Sequence, residues 1–493
     1  MKTLANFIGG RFVAAGSGRT LDVFEPATGQ TIATAPDSDA SDVDDAVRAA
    51  GAAFGAWSGM AAVERSKRLL KVADLIEANL ERLSRMESMD SGKPVSLARN
   101  VDIPRSAANF RFFATAVLHA SSECHDSDGG GVPGGIRALN YTLRRPRGVA
   151  GLISPWNLPL YLLTWKIAPA LATGNTCVAK PSEVTPMTAH ALCELAVEAG
   201  IPSGVMNIVH GRGMEAGGSL VKHPQVPTIS FTGSTAVGEW IGREAGGMFK
   251  RVSLELGGKN PFIVFEDAPM EGPESAVALA ARAGFTNQGQ ICLCGSRILV
   301  HRSLHDRFVG ELVELVRAQR PGDPNDAGTR QGAVVSAAHL EKIRGMVETA
   351  REHGGQVHCG GQSPAPDDLP ERCRGGWFYE PTVITGLPQG CRVVQEEVFG
   401  PVVTVQAFET EEEAVGLANG TKYGLASVVV TRDVSRAHRV AGALNSGIVW
   451  VNCWMVRDLR TPFGGMGQSG VGREGGVEAL RFFTEAKSVC VRI

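Results

Sequence analysis

The chain lacks any uninterrupted apolar stretch long enough to span a bilayer. Its opening residues run straight into Phe7-Ile8-Gly9-Gly10-Arg11, so no apolar core of a signal peptide can form and an unprocessed chain is expected. An excess of charge is missing too: 49 Lys and Arg against 51 Asp and Glu leave a formal net charge of -2. So small an imbalance gives no field that would gather phosphate backbones or anionic lipid, and neither nucleic acid nor membrane is an expected partner. The 10 cysteines are scattered apart from Cys292 and Cys294, with no CxxC and no Cys/His cluster of zinc-like spacing. No metal site is expected, and reduced thiols suit a cytoplasmic protein. The sequence has no GxSxG elbow, which argues against a serine hydrolase, and no internal repeat.

What is present is an ordinary globular composition, 43% hydrophobic and 20% charged over 493 residues, enough for two or three domains. From Gly148 onward apolar runs alternate with helical patterns. Strands are expected at Gly148 to Ile153, Thr176 to Lys180, Val205 to Val209 and Thr228 to Phe231, with a helix from Leu158 to Ala172. That alternation predicts an α/β fold with a parallel sheet that binds nucleotides at the carboxyl ends of its strands. A second αβ series starts near Asn260, with a helix over Ser275 to Gly284, a strand over Arg297 to Val300 and a helix over Leu304 to Arg320. Between the two series, Val252 to Gly258 reads as a hinge, because Gly257 and Gly258 relax the backbone's steric limits. Gln362 to Asp368 reads as a surface loop.

Two segments carry chemistry. Gly289-Gln290-Ile291-Cys292-Leu293-Cys294-Gly295 places a cysteine just before a strand, and Leu254-Glu255-Leu256-Gly257-Gly258-Lys259 sets a carboxylate among apolar residues, costly without a job or a partner. These segments resemble the nucleophile and general-base motifs of the aldehyde dehydrogenase superfamily, in the order expected, and the likeness runs from about Phe7 to the C-terminus. The resemblance implies a Rossmann-type cofactor domain (1-123 and 147-257), a second α/β catalytic domain (258-447) and a small β oligomerisation arm (124-146 and 475-493). Residues 448-474 would form the substrate-tunnel loop. It implies NAD as cofactor, a small-molecule aldehyde as substrate and a homodimer or homotetramer.

The same resemblance assigns roles. Cys292 is the nucleophile, although a thiol of ordinary pKa is only about 3% ionised at pH 7. Asn157 and the Cys292 N–H hold the oxyanion, and Glu255 activates the water that hydrolyses the thioester. Asn157 also reads as a cap for the helix after it. Cys294 would face away from Cys292 if the segment is extended, and is read as structural. Ile153, Trp156, Gly233, Ser234 and Gly238 are expected at the cofactor, with Lys180 and Glu183 on the adenine ribose and Glu397 and Phe399 on the nicotinamide half. A carboxylate at Glu183 favours NAD over NADP.

For the substrate, Arg111, Arg457 and Phe463 are the expected contacts, since guanidinium forks suit a carboxylate at the far end of an aldehyde. The alternatives are that Arg457 pairs with Asp458 and that Arg111 is solvated. Together with Leu152 to Leu160, this set looks like the muconic semialdehyde dehydrogenases of tryptophan and catechol breakdown. It implies 2-aminomuconate 6-semialdehyde, with the 2-hydroxy analogue as alternative. A silent binding relative and a coenzyme A-acylating enzyme are weaker readings, because Cys292, Glu255 and Asn157 are all intact and Glu255 favours water as acceptor.

Overall fold

The computed structural model describes residues 2–131 and 133–493. Five apolar segments form parallel strands: β1 (Val149–Ile153), β2 (Thr176–Lys180), β3 (Met206–Ile208), β4 (Thr228–Thr232) and β5 (Arg251–Glu255). Strands β1 to β4 are buried on both faces, which is why they read as continuous apolar runs rather than alternating ones. Their order is β5-β4-β1-β2-β3, so the winding reverses beside β1. Ligands in such sheets bind at that reversal, outside the carboxyl ends of the strands. The register lines up Ile153 with Lys180 and Phe231, and Thr232 with Glu255, along that one edge. Antiparallel strands close both flanks: Gly470–Val471 beside β5, and Asn6–Ile8 then Arg11–Val13 beyond β3.

A second sheet holds six parallel strands: β6 (Pro261–Val264), β7 (Arg297–His301), β8 (Thr382–Thr385), β9 (Val402–Phe408), β10 (Ala426–Val430) and β11 (Ile448–Val451). The order is β8-β9-β7-β6-β10-β11, with Gln356–Cys359 antiparallel outside β8. Alternate side chains supply the cores on its two faces: Phe262, Val264, Ile298 and Val300 on one, Ile263 and Leu299 on the other. A third, small sheet pairs Ala138–Pro146 with Thr484–Arg492 along its whole length and with Cys124–Ser127 on its other edge. The two segments expected as an oligomerisation arm therefore satisfy each other's ladder.

Helices α1 (Ala62–Ala78) and α2 (Ile103–Ala116) pack on α3 (Pro159–Ala172), which lies against β1 and β2. Every residue of α3 is buried, so its pattern carries no amphipathic stripe. Asn109 ties α2 to α3 by donating Nδ2 to the Tyr161 carbonyl and to Thr164 Oγ1, both at 3.0 Å. Among the described residues no helix is long and apolar enough to cross a membrane. No group of three or more His, Cys, Asp or Glu among them could hold a metal ion.

Candidate active site

The crossing between the two large sheets departs from the expected hinge. Neither Gly257 nor Gly258 has a positive φ, so backbone freedom is not what glycine supplies there. Close approach is: a Cβ on Gly257 would stand 2.3 Å from Glu397 Oε2, and one on Gly258 would stand 2.6 Å from Asn260 Oδ1 and 3.2 Å from the Cys292 carbonyl. Bare backbone thus lets Glu397 and the cysteine loop converge on the end of β5. The N–H of Gly258 donates to Glu397 Oε1 at 3.1 Å, and Asn260 Nδ2 donates to the carbonyls of Cys292 (2.7 Å) and Cys294 (3.0 Å).

The cysteine segment is not extended. Asn287, Gln288 and Gly289 all have φ near the left-handed region (55°, 54° and 67°), and the N–H of Cys294 returns to the Ile291 carbonyl at 3.0 Å. Cys294 consequently does not lie across a strand from Cys292. It is buried in the apolar cluster of the second sheet, while Cys292 sits at that cluster's fringe, half-buried.

Asn157 stands opposite, in the turn after β1. Its Nδ2 donates to the Gln290 carbonyl at 3.0 Å, two residues before the cysteine. Its own carbonyl accepts from Lys93 Nζ (2.9 Å) and Asn287 Nδ2 (3.1 Å). The expected capping role is absent: the residue preceding α3 is Leu158, with no side-chain cap, and the helix's Leu160 N–H instead meets Glu87 at 3.2 Å.

Electrostatics disfavour the charged forms of the reacting groups. Burial pushes the Cys292 thiol up, reinforced by the Glu397 and Glu255 carboxylates. Burial also pushes Glu255 well above the usual carboxylate range, with repulsion from Glu474 adding to it. Glu474 is itself tied to Lys166 Nζ at 2.7 Å and to Ser230 Oγ at 3.2 Å. Burial brings Glu397 up to about 7, against the pull of the Gly258 N–H and nearby lysines.

The expected cofactor residues gather along the edge where β1, β2 and β4 end. Ile153 is buried at the end of β1. Lys180 and Glu183 pair at 2.7 Å, and the Gly213 N–H donates to Glu183 at 3.3 Å. Burial works against the Glu183 charge, but Lys180 holds its carboxyl below the ordinary range. Gly233 follows β4, and Ser234 caps α4 (Thr235–Gly246) by accepting from the Val237 N–H. A Cβ on Gly238 would stand 2.4 Å from Leu256 Cδ2, so glycine lets α4 lie close on the exit from β5. Trp156 meets Phe399 edge-on at 5.2 Å and His339 at 5.0 Å; His339 Nε2 donates to the Phe399 carbonyl at 2.7 Å, bracing a residue with φ of 61°.

The arginines require a correction. Arg111 is not brought to the site: its guanidinium lies on the outer face, paired with Asp74 and Glu77 of α1. Arg457 is, and it does not pair with Asp458, which binds Arg460 instead. Its guanidinium lies 3.9 Å from the Phe463 ring centre and 5.5 Å from that of Trp165, with Nη1 donating to Tyr161 Oη at 3.0 Å. Its companion is Arg105, missed in the sequence, 5.4 Å from the Tyr161 ring centre and 5.6 Å from Trp165. Arg105 Nε and Nη2 are buried with no hydrogen-bond partner among the described residues. The signal was helical phase. Arg105 lies four residues before the buried Asn109, on its face of α2, whereas Arg111 lies roughly 240° round from Arg105. Trp454 Nε1 donates to the Leu293 carbonyl at 2.9 Å, joining the loop that bears Arg457 to the cysteine loop.

Known proteins are similar to this chain over nearly its whole length. The family model described as the aldehyde dehydrogenase family matches residues 12–489. The 2-aminomuconic semialdehyde dehydrogenase of Danio rerio is 53% identical, over 99% of this chain and 98% of its own. The 2-hydroxymuconic semialdehyde dehydrogenase of Pseudomonas sp. (strain CF600) is 47% identical over the full length of both. PnpE, crystallised in complex with nicotinamide adenine dinucleotide, superposes with a TM-score of 0.94 at 44% identity, covering 99% of this chain and 98% of that one. With the family model matching nearly the whole chain and relatives of 47–53% identity covered almost end to end, the chain belongs to the aldehyde dehydrogenase family.

Proposed function

We propose that this protein oxidises a small anionic semialdehyde to its carboxylate with NAD, and that 2-aminomuconate 6-semialdehyde is the preferred substrate. Family membership and the NAD complex of a near structural neighbour support NAD-dependent aldehyde oxidation. The observation that carries the substrate is the pair Arg105 and Arg457 among Tyr161, Trp165 and Phe463. A guanidinium buried with unused donors, as Arg105 is, is costly unless an anion completes it, and Arg457 stands beside it to share that anion. Relatives named for the aminomuconic aldehyde reach 53% identity and those named for the hydroxymuconic one 47%, so the hydroxy analogue is the second reading.

The residues present fit NAD. Ser154 Oγ and Thr232 Oγ1 are buried at the ends of β1 and β4 with no partner among the described residues, at the reversal where a dinucleotide would lie. The charged Glu183 beside Lys180 suits ribose hydroxyls and repels a 2′-phosphate. When bound, NAD supplies the hydride acceptor.

The chain's own residues would do the rest. Cys292 Sγ adds to the aldehyde carbon as its proton passes to solvent water, and the new oxyanion accepts from the free amide hydrogen of Asn157 and from the Cys292 N–H. Loss of hydride from the tetrahedral carbon leaves a thioester. Glu255, as carboxylate, takes a proton from the water that cleaves it, restoring the thiol and releasing the acid. In this reading the first large sheet is the NAD-binding domain and the second the catalytic domain, while the three-stranded sheet joins subunits of a homodimer or homotetramer in the cytoplasm. The test compares NADH formation from aminomuconate and hydroxymuconate semialdehydes and a neutral aliphatic aldehyde. Preference for the neutral aldehyde would remove the anionic reading.

A further inference from the structure

The mechanism leaves unused a buried charged cluster behind Asn157. Helix Leu80–Ser91 ends at Gly92, whose φ of 77° turns the chain tightly, since a Cβ there would meet the Ala333 carbonyl at 2.7 Å. The next residue, Lys93, is fully buried and its carbonyl is held by Ser88 Oγ at 2.5 Å. Its ammonium pairs with the buried Asp102 and donates to the Asn157 carbonyl at 2.9 Å. Glu87, also fully buried, accepts the Leu160 N–H at 3.2 Å and Thr188 Oγ1 at 2.7 Å. Asp90, one turn on, accepts the Met187 N–H at 2.9 Å.

Three carboxylates around one ammonium make a poor stabilising device, because desolvation offsets much of the attraction in such clusters. What the cluster does achieve is geometric. The turn 157–160 is gripped at both ends, its first carbonyl by Lys93 and Asn287 and its last amide by Glu87. Fixing that carbonyl fixes the plane of the peptide after Asn157 and so the direction of its Cα–Cβ bond. One amide hydrogen of Asn157 is then spent on the Gln290 carbonyl, and the other is left aimed for the substrate oxygen. We propose that Lys93, anchored by Asp102, is a positioning residue that acts through Asn157 to align the oxyanion donor. This rests on the reading of Asn157 given above.

Displacement of a positioned group by about an ångström commonly costs on the order of 100-fold in rate. Lys93→Met is therefore expected to slow thioester formation, read as the single-turnover rate of NADH release into absorbance, by about 10- to 100-fold. NAD affinity by titration calorimetry and KM for the aldehyde should stay near wild type, a split that general loosening would not give. Because Lys93→Met strands Asp102 in the interior, Lys93→Met/Asp102→Leu is measured beside it; it removes the same bond to Asn157 without leaving a lone charge. The deciding comparison places Lys93→Met in an Asn157→Ala background. If Lys93 acts through Asn157, the second change adds nothing beyond about twofold. A full multiplicative loss there, or wild-type acylation in the Lys93→Met/Asp102→Leu protein, overturns the proposal. Normal acylation in Asn157→Ala alone would instead overturn the oxyanion reading itself.

Discussion

Glu255 ends its strand with Oε1 against the α-carbon of Gly464, so closely that a methyl group there would stand 2.7 Å from the oxygen. That oxygen has no hydrogen-bond partner among the described residues, and burial together with Glu474 keeps the carboxyl protonated well above the usual range. A folded-state pKa raised above the unfolded value of about 4.3 gives stability that is present at low pH and lost as pH rises through the folded value. Glu255→Gln never ionises and escapes that loss. Its thermal midpoint, relative to wild type, is expected to climb as pH rises above the carboxylate range, while turnover falls by about 10²–10⁴. A midpoint difference that does not change with pH would show that the carboxyl ionises freely in the native protein.

Arg105 and Arg111 share a helix but not a neighbourhood, and the two should separate cleanly in kinetics. Arg105→Met is expected to cost about 1.5–3 kcal/mol in apparent affinity for an anionic semialdehyde and little for a neutral one. Arg457→Met should behave likewise, with some added loss from the packing of its guanidinium on Phe463. Arg111→Ala, which breaks only exposed pairs to Asp74 and Glu77, should leave KM for both aldehydes unchanged and shift stability by no more than about 0.5 kcal/mol. A KM effect confined to Arg111→Ala would reverse the assignment.

The same pair shows where sequence reading reached and where it stopped. Strands buried on both faces are legible as short apolar runs, and β2 falls on the expected residues from end to end. The proposed nucleophile and base are legible because a cysteine motif and an isolated carboxylate are local patterns. Arg105 is not, since its neighbours Tyr161, Trp165 and Arg457 lie on α3 and on a loop far down the chain, and nothing local marks such convergence. Gly257 is legible as a glycine but not for its reason, because the Glu397 carboxylate that excludes a side chain there arrives from far along the chain. The turn at Cys292 was hidden for a related cause: three consecutive left-handed residues, two of them not glycine, depend on tertiary contacts to exist.

Burial and two nearby carboxylates disfavour the Cys292 thiolate. Alkylation of the cofactor-free protein by iodoacetamide, followed at this residue by peptide mass spectrometry, should be slow at neutral pH and still accelerating in alkaline buffer. In the alkaline range where their carboxyls ionise, Glu397 and Glu255 oppose the thiolate, so Glu397→Gln and Glu255→Gln should each shift that profile to lower pH, Glu397→Gln more. A profile already level at neutral pH would mean that the thiol is activated before any ligand arrives.

Gly289 offers a test of how tightly the cysteine loop and the Phe399 segment are joined. With φ of 67° it sits where L side chains are strained, and its Cβ would stand 2.0 Å from the Gly400 carbonyl oxygen. Backbone on both sides means that neither loop can yield by a rotamer change, so one must move. Gly289→Ala is expected to cost on the order of 1–3 kcal/mol from strain alone. Because the displaced neighbour adjoins Phe399, itself at φ of 61° and braced by His339, the variant should lose acylation rate and NAD affinity together. Asn157→Ala supplies the contrast, since it is expected to lose about 10²–10³ in rate with NAD affinity intact. Should Gly289→Ala also spare NAD affinity, the two loops would have to be mechanically independent in spite of their contact.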